Sequence, residues 1–242
     1  MKSVLVIGES CRDVFVYCDA ERLCPDAPVP VLNEIGRSEN GGMAKNVHRN
    51  ILSIHPECDI LTNVGWNHVT KTRYIHESSN HMFFRVDSPC KISPLNIDEI
   101  CYNYDVIVIS DYNKGFLTEN HIEQICSSHD LVFLDTKKAL GPWANKAAYI
   151  KINDYEYKRS EAHVDSVLRD KIIRTLGGSG CSFREKTYPV RRVSVRDTSG
   201  AGDSFMAALV VKYLQTENIE DSIRFANKCA SKVVKQKGVT VI

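Results

Sequence analysis

The residues best suited to chemistry lie in Asp197-Thr198-Ser199-Gly200-Ala201-Gly202-Asp203. This stretch follows a β-prone segment at 193–195 and opens an apolar helical pattern over 202–216, with Phe205, Ala208, Leu209 and Val211 inside the pattern. Gly200 and Gly202 let the backbone pass close to a bound group. The free N–H groups of a helix start, aided by the helix dipole, then face an anion. Asp203 falls in the first turn, where a carboxylate can accept the proton of an attacking hydroxyl. The backbone from Gly200 through Ala201 and Gly202 to Asp203 is placed to steady charge developing on phosphoryl oxygens. Losing one such donor costs on the order of 3–4 kcal/mol in the barrier. The plainer alternative is a Gly-rich turn with an acid capping the helix. Two acids flanking Thr-Ser-Gly-Ala-Gly at a strand-to-helix junction favour chemistry.

Other segments carry weaker signals. Gly41-Gly42-Met43-Ala44-Lys45-Asn46 puts two glycines ahead of a helical pattern, and the Asn46 amide can both donate and accept. Asn153 and Glu156 follow a strand-like run and read as a helix N-cap with its i+3 partner. Arg73, Arg85, Lys114 and Lys137 can supply charge for phosphate groups, the alternative being surface ion pairs. Asp111, at the end of Asp-Val-Ile-Val-Ile-Ser-Asp, is expected to face the same cleft.

Buried parallel strands are expected at 3–8, 105–110, 131–135 and 148–152, with further strands at 59–64 and 171–176. Helices are expected over 41–54, over 118–126 with Thr118 as N-cap, over a short 153–159, and over 220–235. Residues 14–17 with 29–35, and 72–75 with 82–86, read as antiparallel pairs outside the main sheet. Strands alternating with helices predict an α/β fold with a mostly parallel sheet and a small β appendage. No linker divides the chain, so one domain over 1–242 is expected.

The whole chain narrows the function classes. With 31 Lys and Arg against 30 Asp and Glu in 242 residues, no broad basic face for nucleic acid is expected. No apolar run reaches a membrane span and no leader pattern opens the chain, so a cytoplasmic protein without a membrane partner is expected. Nine cysteines without a Cys-x-x-Cys pair predict neither a disulfide framework nor a zinc site. The first strand ends Gly8-Glu9-Ser10 without a G-x-G-x-x-G, which argues against a dinucleotide-dependent oxidoreductase.

Residues 197–203 resemble the D-T-x-G-A-G-D signature of the ribokinase-like, or PfkB, carbohydrate kinases, and 41–46 resemble their G-G-x-A-x-N signature. The resemblance implies a three-layer α/β/α sandwich with a β-strand lid, contributed here by about 13–36 and 71–87. It also implies ATP and Mg²⁺, and allows for a monovalent cation such as K⁺ and a homodimer formed through the lid. By resemblance, Asp203 is the base and Asp13, Gly41, Gly42 and Asn46 bind the sugar. Thr175, Gly177 and Gly180 of a T-x-G-x-x-G turn, with Lys137, Asn153, Asp197 and Asn227, serve the nucleotide side. Asn153 and Glu156 also resemble the family's N-x-x-E motif, which implies that they orient Mg²⁺ through water. Residues 22–31, 71–73 with 84–87, 110–115 and 134–138 are similar to stretches of heptose-7-phosphate kinases, in a shortened form. That implies the anomeric hydroxyl of a heptose 7-phosphate as the target. The alternatives are a kinase of an unphosphorylated sugar or nucleoside, and a silent relative that binds a sugar or a partner.

Overall fold

The computed structural model describes residues 2–242. The chain opens with β1 (Val4–Gly8), then the long strands β2 (Ser10–Leu23) and β3 (Pro30–Met43), helix α1 (Ala44–Leu52) and β4 (Cys58–Leu61). A hairpin follows, β5 (Thr70–His76) and β6 (Met82–Asp87). The chain continues through β7 (Val106–Asp111), α2 (Glu119–Ser128), β8 (Val132–Thr136), β9 (Tyr149–Asn153), α3 (Asp154–Ser160), α4 (Ser166–Arg169) and β10 (Ile172–Thr175). It closes with β11 (Cys181–Phe183), β12 (Lys186–Tyr188), α5 (Ala201–Thr216) and α6 (Ile219–Val233).

Eight strands form the main sheet in the order β12-β11-β10-β9-β8-β7-β1-β4. From β10 to β4 all pairings are parallel; β11 and β12 add an antiparallel edge. Side chains alternate across the sheet. Val4, Val6, Val106 and Val108 pack with α1, α5 and α6 on one face, and Leu5, Ile7, Ile107 and Ile109 with α2 and α4 on the other. The result is the ribokinase-like layered α/β arrangement.

The second sheet has the order β3-β2-β5-β6. Both expected antiparallel pairs form, but β2 and β5 join in parallel, which unites the two hairpins into one appendage. Its strands run longer than the sequence patterns indicate. Pairing of β3 with β2 continues through Cys11–Gly42 and Ser10–Met43, so Gly41 and Gly42 end a strand and α1 begins only at Ala44. β4 stops at Leu61, residues 193–195 form no strand, and the short edge strands β11 and β12 carry no clear pattern of their own. The tip of the β5–β6 hairpin reaches the far end of the chain. Lys237 Nζ pairs with Glu77 Oε2 at 2.7 Å, and Asn80 Nδ2 donates to the Arg196 carbonyl at 2.5 Å.

Candidate active site

Residues before and within the first turn of α5 build the centre. Gly200 has φ +76°, and a Cβ there would lie 2.8 Å from Asn46 Nδ2. No side chain caps α5. The Ala201 N–H is taken by the Thr198 carbonyl at 3.2 Å, so the expected role of Ala201 as an anion donor falls to the N–H groups of Gly202 and Asp203. Asp203 is 6% exposed. Asn46 Nδ2 donates to its Oδ2 at 2.7 Å and Tyr112 Oη to its Oδ1 at 2.9 Å. Burial pushes the Asp203 carboxyl above the usual range, while the Asn46 hydrogen bond and the Lys151 charge oppose that rise.

Behind this turn lies a buried ion pair. Lys151 Nζ, from β9, contacts Asp135 Oδ2 of β8 at 2.5 Å and lies 3.1 Å from where a Gly202 Cβ would stand. Burial works against the Asp135 charge, but Lys151 and Lys137 outweigh it and hold the carboxyl low. Lys137 bridges to Glu156 Oε1 at 2.6 Å and to Asp135 Oδ1 at 3.7 Å. Burial disfavours its ammonium; Asp135 and Glu156 prevail and raise its pKa.

Asn153 and Glu156 form the complete capping box, each side chain accepting the other's backbone N–H at 2.8 Å. With Lys137 on Glu156 as well, neither residue presents a bare ligand. No group of three or more His, Cys, Asp or Glu gathers as a metal cage among the described residues. This donor set fits Mg²⁺ held through its own waters and through substrate phosphates.

A cleft of about 720 Å³ brings together Asp203, Gly202, Lys151, Lys137, Asn153 and Thr175. A second, of about 520 Å³, lies across Thr175, Gly177 and Gly202, and is lined by Gly180, Val195, Phe205 and Asn227. Asn227 is buried, its amide donating to the Tyr188 carbonyl at 2.9 Å. Asp197 shapes the loop instead of lining either cleft: its oxygens accept from the N–H groups of Ser199 and Gly238.

On the lid side, Asp13 is ion-paired with Arg73, and its carboxylate lies against Gly42. Arg85 is half-exposed and held by Asp87 at 2.6 Å. Lys71, Arg85 and Lys114 lie close enough for their charges to repel. Asp111, expected to face the cleft, is closed off: its oxygens take Lys138 Nζ at 2.7 Å and the Thr136 hydroxyl at 2.5 Å. Gly41 sits beside the Lys45 side chain at the end of β3.

Sequence reasoning missed Lys151, Tyr112 and Glu9. The signal for Lys151 was a lysine inside an otherwise apolar strand, Tyr149–Asn153. Glu9 is fully buried and accepts from the N–H groups of Tyr112, Lys114 and Phe116, fixing the loop that carries Tyr112.

The buried Asp203 carboxylate, the Lys151 ammonium behind it and two clefts that share Thr175, Gly177 and Gly202 thus gather around the start of α5. The pfkB family carbohydrate kinase model matches residues 93–242, and the chain belongs to that family. The bifunctional protein HldE of Helicobacter pylori strain HPAG1 is 30% identical over 298 residues, covering 98% of this chain and 64% of the relative; that of Campylobacter fetus is 27% identical with the same coverage. The chain thus spans less than two thirds of the length of these relatives. Ribokinase from Thermotoga maritima shares the fold with a TM-score of 0.74 at 16% identity, covering 99% of this chain and 95% of that one. Escherichia coli phosphofructokinase-2, solved with potassium, gives 0.72 at 15% identity, covering 100% and 95%. No helix among the described residues is long and apolar enough to cross a membrane.

Proposed function

We propose that the chain transfers the γ-phosphoryl group of ATP to a sugar phosphate, with the anomeric hydroxyl of a heptose 7-phosphate as the acceptor. The observation that carries this reading is Asp203, buried and doubly hydrogen-bonded at an uncapped helix start inside the cleft. Asp203 takes the hydroxyl proton as the sugar oxygen bonds to the γ-phosphorus. The bond from that phosphorus to the β–γ bridging oxygen breaks, and ADP leaves with the electron pair. The N–H groups of Gly202 and Asp203, with the Lys151 ammonium behind them, steady the phosphoryl oxygens. Mg²⁺, when bound, supplies positive charge to the β- and γ-phosphates; Glu156 and Asn153 would hold it through water.

The heptose reading rests on the similarity of residues 22–31, 71–73 with 84–87, 110–115 and 134–138 to heptose-7-phosphate kinases. The basic set Lys71, Arg73, Arg85 and Lys114 on the lid side supports a substrate that already bears a phosphate. Asp13 and Asn46 would bind sugar hydroxyls, and the 520 Å³ cleft with Asn227 would take the nucleoside.

The test is ADP release from Mg·ATP with heptose 7-phosphate, fructose 6-phosphate, ribose, fructose and adenosine. Turnover on the heptose phosphate is expected, reduced at least 10²-fold in Asp203→Asn. Turnover on another acceptor keeps the mechanism and discards the sugar. No turnover on any acceptor, with tight sugar binding intact, sinks the kinase reading.

A further inference from the structure

Asn50 lies one turn beyond Asn46 on α1 and is fully buried. An asparagine amide has two chemically different ends, and a buried one must be told which way to face. Asn46 matters in this respect because its Nδ2, and not its Oδ1, meets Asp203. Reversed, it would set an oxygen against a carboxylate oxygen.

Asn50 supplies the instruction. Its Nδ2 donates to the Asn46 carbonyl at 2.8 Å and to Asn46 Oδ1 at 3.3 Å. A donor on that side fixes the oxygen end of the Asn46 amide there and turns Nδ2 toward Asp203. Asn50 is itself oriented: the Ser204 hydroxyl donates to Asn50 Oδ1 at 3.0 Å. Ser204 is also fully buried and follows Asp203 directly on α5. The four side chains form a hydrogen-bonded chain between α1 and α5, running Ser204 to Asn50 to Asn46 to Asp203, its two ends being neighbours along α5. A helix that needed only packing would place an apolar residue at 50, since Ala44, Val47 and Ile51 around it are all fully buried.

We infer that Asn50 and Ser204 are positioning residues that lock the Asn46 amide with its Nδ2 toward Asp203 and so hold that carboxylate aimed into the cleft. The inference rests on Asp203 being the base. Other groups act on the same carboxylate: Tyr112 from the loop after β7, Asp135 and Lys137 at the end of β8, Lys151 of β9 and Cys11 of β2. None of them hydrogen-bonds to the side chain of Asn50 or Ser204.

The test uses Asn50→Leu, close to Asn in size without its hydrogen bonds, and Ser204→Ala, with Ser204→Thr restoring a hydroxyl. Two readouts are taken on the full chain: the pH profile of kcat/KM, and the Asp203 carboxyl titration by carbon NMR, its signal assigned by loss in Asp203→Asn. Asn46 no longer held as a donor raises the Asp203 pKa. The acidic limb of the profile should therefore move up by roughly one pH unit in Asn50→Leu, with kcat at the acidic end down roughly tenfold. Ser204→Ala should move the limb the same way, and Ser204→Thr should bring it back. A folded Asn50→Leu or Ser204→Ala with the wild-type limb and titration overturns the inference; Ser204→Ala alone decides if Asn50→Leu does not fold. A shifted Asp203 titration in a protein without kinase activity upholds the positioning and overturns the proposed function instead.

Discussion

Lys151 and Asp135 pair with side chains only 4% and 3% exposed, so neither charge has water to fall back on. Lys151→Met leaves the buried Asp135 carboxylate only Lys137, 3.7 Å away, and should lower stability by up to about 3–5 kcal/mol in urea melts at pH 7.5. The double change with Asp135→Leu should recover most of that loss. Because the folded Asp135 pKa is depressed, the pair's contribution is present above the ordinary carboxylate range and fades as pH falls through the folded value. The gap between wild type and Lys151→Met should therefore close in acid. Asp203 has the opposite sign. Its pKa is raised in the fold, so its ionised form costs stability, and the cost appears as pH rises through that value. Asp203→Asn leaves Asn46 and Tyr112 partnered, since a phenol can also accept. It should melt at a higher temperature than wild type at pH 7.5, the difference vanishing in acid. A base kept for chemistry at the expense of stability would behave this way.

At the scale of elements, the start of α5 depends on a left-handed residue held against Asn46. Gly200→Ala adds backbone strain of roughly 1–2 kcal/mol and drives a methyl into the Asn46 amide. Turnover should fall at least tenfold with a Tm drop of only a few degrees, measured by steady-state assay and thermal melt. This loop was legible before the fold because its acids and glycines stand together in sequence. So were the parallel strands, whose continuous apolar runs announce burial on both faces. Tyr112 was not legible, since nothing near it in sequence says that its hydroxyl will find Asp203; Lys151 stood out as a charge in a strand, but its partner Asp135 lies on the neighbouring one. Ala201 shows the limit from the other side. The signature implies a donor there, yet the turn itself consumes that N–H. Asn153 and Glu156 carried two compatible readings, of which the capping box is the one built from contacts within the chain.

At the scale of the molecule, the tip of the β5–β6 hairpin is tied to the segment after α6 by Lys237 to Glu77 and to the start of the Asp197–Asp203 loop by Asn80 to Arg196. Lys237→Ala with Asn80→Ala should loosen lid closure, seen as a rise of about twofold or more in sugar-independent ATP hydrolysis and a higher KM for the sugar. The strand order holds another consequence. β1 is the first strand of the chain, yet it lies between β4 and β7. A ribosome paused before β7 emerges therefore carries β1 with one hydrogen-bonding edge open, and that edge closes only when a strand some hundred residues downstream arrives. Such a nascent chain is a natural client for a chaperone that shields bare strands. Silent codon changes that alter translation speed between β6 and β7 would then change the yield of folded protein without altering a single side chain.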